Sequence, residues 1–307
     1  MSAEARFKGV IAPMLTPFDS DGNPDLKRFC EHAAWLISEG CTGLAPFGTT
    51  GEANSLGLDE RMSLLDGLVN AGIDAERLLP GTGCCSIPDS VRLTQHAVQS
   101  GCGGVLMLPP FYYKAPIASD EGLYRYFADV IERVGDARLK IYLYHIPPMA
   151  QVGFSLDLIG RLIDAYPETV VGLKDSSGDW QNTKAIIDRF SGFTVFAGSE
   201  VFLLDTLRAG GAGCITATGN VNAREIRRVY DNWQSSEADE LQTAITATRM
   251  AIQAFPVIPM MKALLALTRS DSAWRNVRPP FLTMDDSAAR TLRDELAEAH
   301  GMNLELA

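Results

Sequence analysis

No stretch of this 307-residue chain approaches 18 uninterrupted apolar residues, so a membrane-spanning helix is not expected. Basic blocks are missing too. Lys and Arg total 27 against 38 Asp and Glu, a net charge of −11. An acidic chain without a basic face repels a phosphate backbone, which argues against nucleic acid as a partner. Histidine is scarce. His32, His96, His145 and His300 show neither HxH nor HExxH spacing, so no metal centre is expected. No GxGxxG follows a strand, no P-loop occurs and no GxSxG elbow is present, which leaves a nucleotide cofactor and serine-hydrolase chemistry without a motif. No Cys-x-x-Cys pair occurs among Cys30, Cys41, Cys84, Cys85, Cys102 and Cys214. They read as reduced, mostly buried thiols of a cytoplasmic protein, the adjacent Cys84 and Cys85 being the one candidate redox or ligand pair. The opening Met-Ser-Ala-Glu-Ala-Arg-Phe-Lys lacks an apolar segment and does not read as a signal peptide.

What is present is a globular composition, 46% hydrophobic and 21% charged, with a recurring unit. Short apolar, β-branched runs begin near Gly9, Cys41, Arg77, Gly103, Leu139, Thr169, Phe193 and Gly213, separated by helix-like stretches. Gly9 to Gly213 spans 204 residues, about 29 per unit. A (β/α)₈ barrel of roughly 250 residues gives about 31. The runs are near-continuously apolar, as strands buried on both faces must be. Between them, Leu26, Phe29, Cys30, Ala33, Ala34 and Ile37 follow helical spacing, and Ser155 is placed to cap a helix carrying Leu158, Ile159 and Leu162. The expected fold is therefore α/β, a (β/α)₈ TIM barrel over residues 1–222, with a doubly wound sheet as the alternative. Residues 223–307 lose the strands. Ala223–Trp233, Ser236–Phe255, Pro259–Leu267 and Ser287–His300 read as a C-terminal helical extension packed on the barrel.

A barrel enzyme works at the C-terminal ends of its strands. There the chain places Gly48-Thr49-Thr50-Gly51-Glu52, Pro109-Pro110-Phe111-Tyr112-Tyr113, Tyr144-His145, Leu173-Lys174-Asp175, Gly198-Ser199-Glu200 and Ile215-Thr216. Only seven lysines occur, and Lys174 alone follows a strongly apolar strand, Val170-Val171-Gly172-Leu173. An amine desolvated there is held toward its neutral, nucleophilic form and suits Schiff-base chemistry. The plain alternative is a lysine paired with Asp175 at the strand exit. Tyr144 sits on the neighbouring strand and can give and take a proton, helped by hydroxyls from Thr49 or Thr50 and Tyr112 or Tyr113. The Gly48–Gly51 turn brings backbone N–H groups and hydroxyls to where a 2-oxo acid carboxylate could sit. Glu52 reads as lying near the next helix start. His145 reads as a pocket-lining side chain.

In this order and spacing these segments, together with Gly211-Ala212-Gly213-Cys214-Ile215, resemble the dihydrodipicolinate synthase and N-acetylneuraminate lyase family of class I aldolases. The resemblance runs from Gly9 to about Pro259. It implies a (β/α)₈ barrel with a C-terminal helical domain and a homotetramer, a dimer of dimers. It implies that Lys174 forms an imine with pyruvate or another 2-oxo acid and that Tyr144 moves the proton, with no metal or nucleotide. Thr49 and Tyr112 match the relay, the tyrosine reaching a neighbouring subunit's site; the Phe-Tyr-Tyr run leaves Tyr113 as the alternative. Thr50 and Gly48 match the carboxylate cradle, and Gly198 and Ile215 match backbone positions facing the lysine. The partners implied are a small 2-oxo acid and an aldehyde. Three departures stand out. Met149 replaces the Arg that binds the second carboxylate in dihydrodipicolinate synthases, His145 replaces an Asn, and Leu58-Asp59-Glu60-Arg61 lacks the His of a lysine-sensing helix. No Arg lies between Leu139 and Gly160, so a less charged acceptor is expected. Genuine 4-hydroxy-tetrahydrodipicolinate synthase, a sugar-acid lyase or dehydratase, and a silent 2-oxo-acid-binding barrel are the alternatives.

Overall fold

Seven parallel strands form one curled sheet in the order β2-β1-β7-β6-β5-β4-β3. They are β1 (Gly9–Ala12), β2 (Gly43–Leu44), β3 (Val105–Met107), β4 (Ile141–His145), β5 (Val170–Asp175), β6 (Thr194–Ala197) and β7 (Gly213–Ile215). The computed structural model describes residues 7–300. The expected N-terminal segment before Phe7 and the last seven residues of the expected helical extension lie outside the described residues. β2 and β3 are not open edges. The segment from Leu78 to Thr82 bridges both, pairing Leu78 with Leu44 and Gly81 with Leu106. Leu79 N donates to Leu44 O at 2.8 Å and Leu106 N donates to Pro80 O at 2.9 Å. This is the expected run at Arg77, present as a bridged segment and not as a regular strand. Pro80 has no N–H to offer a ladder and pairs through its carbonyl alone, which keeps the segment from forming a regular strand. With it the sheet closes into the eight-membered barrel.

Side chains alternate across the barrel wall. On β4, Tyr142 and Tyr144 enter the barrel interior with Ile11, Leu106, Phe196 and Ile215. Ile141 and Leu143 face the helical shell with Val105, Leu173 and Val195. Phe7 meets Tyr142 edge-on at 5.7 Å and Phe196 lies 6.1 Å from Tyr142, so aromatic rings plug the barrel below its top. Gly172 on β5 makes room for them. A Cβ there would stand 2.4 Å from the Tyr142 ring. Two residues further on, the same period aims Lys174 inward at the top of the plug.

Helices cover the outside. Ser155 caps Leu156–Ala165, its hydroxyl accepting from Leu158 N at 3.0 Å, and Asp25 caps Leu26–Ser38 in the same way. The latter buries Phe29, His32, Ala33 and Leu36, so a histidine shares the apolar face. The helix Gly219–Asp231 breaks at Asn222, where φ is −139. Ala223, Ile226 and Val229 beyond the break join the barrel core, as do Ala238 and Ile245. Packing thus carries the barrel past residue 222. A separate cluster gathers Ile252, Met260, Met261, Leu264, Ala289, Leu292 and Leu296 from the helices Ala238–Gln253, Val257–Thr268 and Asp286–His300, with Trp274 from the 3₁₀ turn Ser272–Arg275. Among the described residues, no single helix is long and apolar enough to cross a membrane.

Candidate active site

Parallel register sets Tyr144 directly beside Lys174 on adjacent strands. The Lys174 Nζ lies 4.2 Å from the Tyr144 ring centroid. The Tyr144 hydroxyl reaches Thr49 Oγ1 at 3.4 Å, a long contact for two hydroxyls. Lys174 is only 4% exposed, yet among the described residues its amine has no hydrogen-bond or ion-pair partner. The strand-exit pair with Asp175 is not formed. Asp175 falls on the opposite face of β5, and its carboxylate accepts from Ser177 N at 2.9 Å, Asn182 Nδ2 at 2.9 Å and Thr183 Oγ1 at 2.7 Å. A buried, unpartnered amine is unusual in a structural role, because desolvation is then uncompensated.

The turn after β2 supplies the facing wall. Its left-handed residues are Phe47 (φ 60) and Glu52 (φ 55), not the glycines. Gly51 is required for a steric reason, since a Cβ would stand 2.7 Å from Met14 O, whereas one on Gly48 would meet open space. The Gly51, Glu52 and Ala53 amides are consumed within the turn. The Thr49 and Thr50 amides make no hydrogen bond among the described residues, and both residues line the cavity. They are two free donors beside the lysine. Glu52 does not start a helix face. It is fully buried, forms an ion pair with Lys262 and accepts from Arg278 N at 3.1 Å. Lys262 also donates to Asn276 O at 2.8 Å and lies 4.4 Å over the Phe18 ring. Burial pulls Lys262 below the usual lysine range while Glu52 pulls it back up. The helical extension thereby anchors the turn that carries Thr49 and Thr50.

These elements enclose a cavity of about 500 Å³ at the C-terminal ends of the strands. Thr49, Thr50, Tyr144, Lys174 and Gly198 share it. Gly198 is sterically fixed, for a Cβ would overlap the Ser176 hydroxyl at 2.0 Å. Ile146, Met149, Phe202, Met250, Val257, Ile258 and Phe281 make its walls apolar.

Of the residues expected at the site, His145, Gly48, Tyr112 and Tyr113 lie outside the cavity lining. His145 points out of the barrel, where alternation opposite Tyr144 sends it. Its Nδ1 accepts from Phe154 N at 3.0 Å, and burial holds it below the usual histidine range. The Ile215 side chain packs in the barrel interior with Tyr142 and Phe196, while the part expected of this residue is its backbone's. Gly48 lies outside the lining, within the turn. Tyr112 and Tyr113 form an edge-on pair on the surface, 74% and 58% exposed, away from this chain's own cavity.

Three groups escaped the reading of strand ends. Arg249 enters the cavity from the helix Ala238–Gln253. Glu200 is fully buried behind it and accepts from the Thr216 and Thr218 hydroxyls. Lys262 holds the turn. No local motif marks any of them. Only the periodicity of the late helices, read for which polar residues interrupt the apolar face, could have drawn attention to Lys262.

Comparison with known proteins decides the family. Residues 6–299 match the model of the dihydrodipicolinate synthetase family. The chain belongs to that family. It is 32% identical over 289 residues to an uncharacterized DapA-like lyase of Chloroflexus aurantiacus, covering 93% of this chain and 95% of the relative. The crystal structure of dihydrodipicolinate synthase from Agrobacterium tumefaciens is similar with a TM-score of 0.88 at 31% identity, covering 96% of this chain and 99% of that one. YagE from Escherichia coli K12, of the dihydrodipicolinic acid synthase family and solved in complex with pyruvate, gives a TM-score of 0.87 at 27% identity, covering 98% and 99%. The expected (β/α)₈ barrel with C-terminal helices is therefore the fold of this protein. The protein is an enzyme, a class I lyase of the dihydrodipicolinate synthase type, a family that works through a lysine Schiff base.

Proposed function

We propose that Lys174 forms the imine with pyruvate or a close 2-oxo acid, and that the enzyme makes or breaks a carbon–carbon bond between it and an aldehyde. The observation that carries this reading is the buried, unpartnered Lys174 amine beside Tyr144, in one cavity with Thr49 and Thr50, whose amides are free. The amine adds to the C2 carbonyl, and loss of water gives the imine. Its protonated form draws in the electrons left when the adjacent carbon gives up a proton, and the resulting enamine attacks the aldehyde. The aldehyde oxygen takes up a proton, and hydrolysis returns the lysine. Tyr144 is placed to shuttle protons at the imine, with Thr49 as its hydroxyl partner. Thr50 and the two amides hold the 2-oxo acid carboxylate. The pyruvate in the E. coli relative's structure supports the donor assignment.

The exposed Tyr112 completes the relay of a neighbouring copy in a homotetramer, a role that fits its outward position beside Tyr113 and the 74% exposed Ile117. The enzyme works in the cytoplasm without a metal or nucleotide. Met149, 64% exposed at the mouth, stands where dihydrodipicolinate synthases carry an Arg, which argues against aspartate semialdehyde as the acceptor. The test is intact mass after incubation with pyruvate and borohydride. One reduced pyruvate on the wild type, absent from Lys174→Ala, is expected. No adduct on the wild type with pyruvate or larger 2-oxo acids would sink the reading.

A further inference from the structure

The sequence offers no arginine after β4 for an acceptor carboxylate, but the fold delivers one from the opposite side. Arg249, about one turn from the end of the helix Ala238–Gln253, lines the same cavity as Lys174 and is only 14% exposed. Its hydrogen bonds account for part of the guanidinium. Nε donates to Gln253 Oε1 at 3.0 Å, and Nη1 makes two stretched contacts, to Glu200 Oε2 at 3.5 Å and Thr216 Oγ1 at 3.4 Å. Nη2 has no partner among the described residues. Glu200 pairs with Arg249 only at this stretched distance, while its two oxygens take their close hydrogen bonds from the Thr216 and Thr218 hydroxyls. A guanidinium tethered at Nε and Nη1, with Nη2 unpaired among the described residues and the cavity walls largely apolar, is a preorganised anion site.

We propose that Arg249 binds a terminal carboxylate on the acceptor aldehyde, making it the specificity-determining residue of the acceptor half-site. The proposal rests on the 2-oxo acid chemistry assigned to Lys174. The acceptor class follows from the surroundings. Met149, Met250, Val257, Ile258 and Phe281 make most of the wall apolar, with Ser176 and Ser199 among its polar exceptions, so a short hydrocarbon chain between aldehyde and carboxylate suits it best. Glu200, close behind Arg249, repels a dianion more than a monoanion, which favours a carboxylate over a phosphate ester.

Two aldehydes of equal length separate the outcomes: succinic semialdehyde, ending in a carboxylate, and butanal, ending in a methyl. With pyruvate as donor, wild-type kcat/KM should favour succinic semialdehyde by at least about tenfold, the scale of one charge-assisted hydrogen bond. Arg249→Met should erase that preference, chiefly through KM. Butanal turnover should change by less than about threefold, and borohydride trapping of pyruvate on Lys174 should be unaltered. Arg249→Lys should restore part of the preference, because a point charge replaces the planar fork. Equal losses on both aldehydes would overturn the proposal and leave Arg249 as a partner of Glu200 only. So would a wild type without preference, or one that traps pyruvate but turns over neither aldehyde; these need no variant to fold. A wild type that traps no pyruvate refutes the Lys174 assignment first, and this proposal with it.

Discussion

Acid should loosen this enzyme through one buried histidine. His32 lies on the apolar face of Leu26–Ser38, fully buried and wedged between the rings of Trp35 at 5.6 Å and Trp274 at 4.9 Å. Arg269 Nη2 meets its Nδ1 at 2.8 Å. A guanidinium only donates, so Nδ1 must accept and the proton must sit on Nε2, which donates to Asn220 Oδ1 at 2.9 Å. Burial, and then the Arg269 charge, push His32 from 6.5 down to about 3. The folded value lies below the unfolded one, so the unfolded chain binds more protons between those limits. Stability is then full above the unfolded value and falls as pH drops through 6.5 toward 3. Linkage gives a loss of about 2 kcal/mol between pH 7 and pH 5, and this holds for any folded value below about 4. Urea unfolding of the wild type and His32→Gln at both pH values measures it. Glutamine keeps the donor to Asn220 and the acceptor for Arg269 but does not titrate. The wild type should lose about 2 kcal/mol more than the variant. Equal losses, to within about 0.5 kcal/mol, would refute a histidine held neutral by the arginine.

Tyr144→Phe keeps the ring against Lys174 and removes only the hydroxyl. It should slow turnover by about 10²- to 10⁴-fold, while borohydride still traps pyruvate at long incubation; unimpaired turnover would place the proton shuttle elsewhere. Lys262→Met leaves the Glu52 carboxylate buried without its counter-ion and should destabilise the fold by about 3–5 kcal/mol in urea unfolding. Adding Glu52→Gln to it should recover at least half of that loss, because the uncompensated charge and not the missing amine is the larger penalty. A double variant as unstable as the single one would contradict this account.

The sequence by itself determined the barrel and its chemistry, because both are written locally. Eight apolar runs at an even period dictate parallel strands and covering helices, and strand alternation alone places Lys174 inward at a strand end with Tyr144 beside it. The same alternation sends His145 out, a consequence already contained in its position next to Tyr144. Ser155 and the late helices were readable for the same reason: capping and amphipathic spacing act over a few residues. The distant partnerships were not readable. Lys262 reaches Glu52, Arg269 and Asn220 grip His32, and Arg249 enters the Lys174 cavity only because the C-terminal helices fold back over the barrel mouth. Each brings together polar groups whose spacing along the chain carries no period. What joins them is the demand that buried charges and donors find partners, and only the tertiary structure decides which partners are within reach.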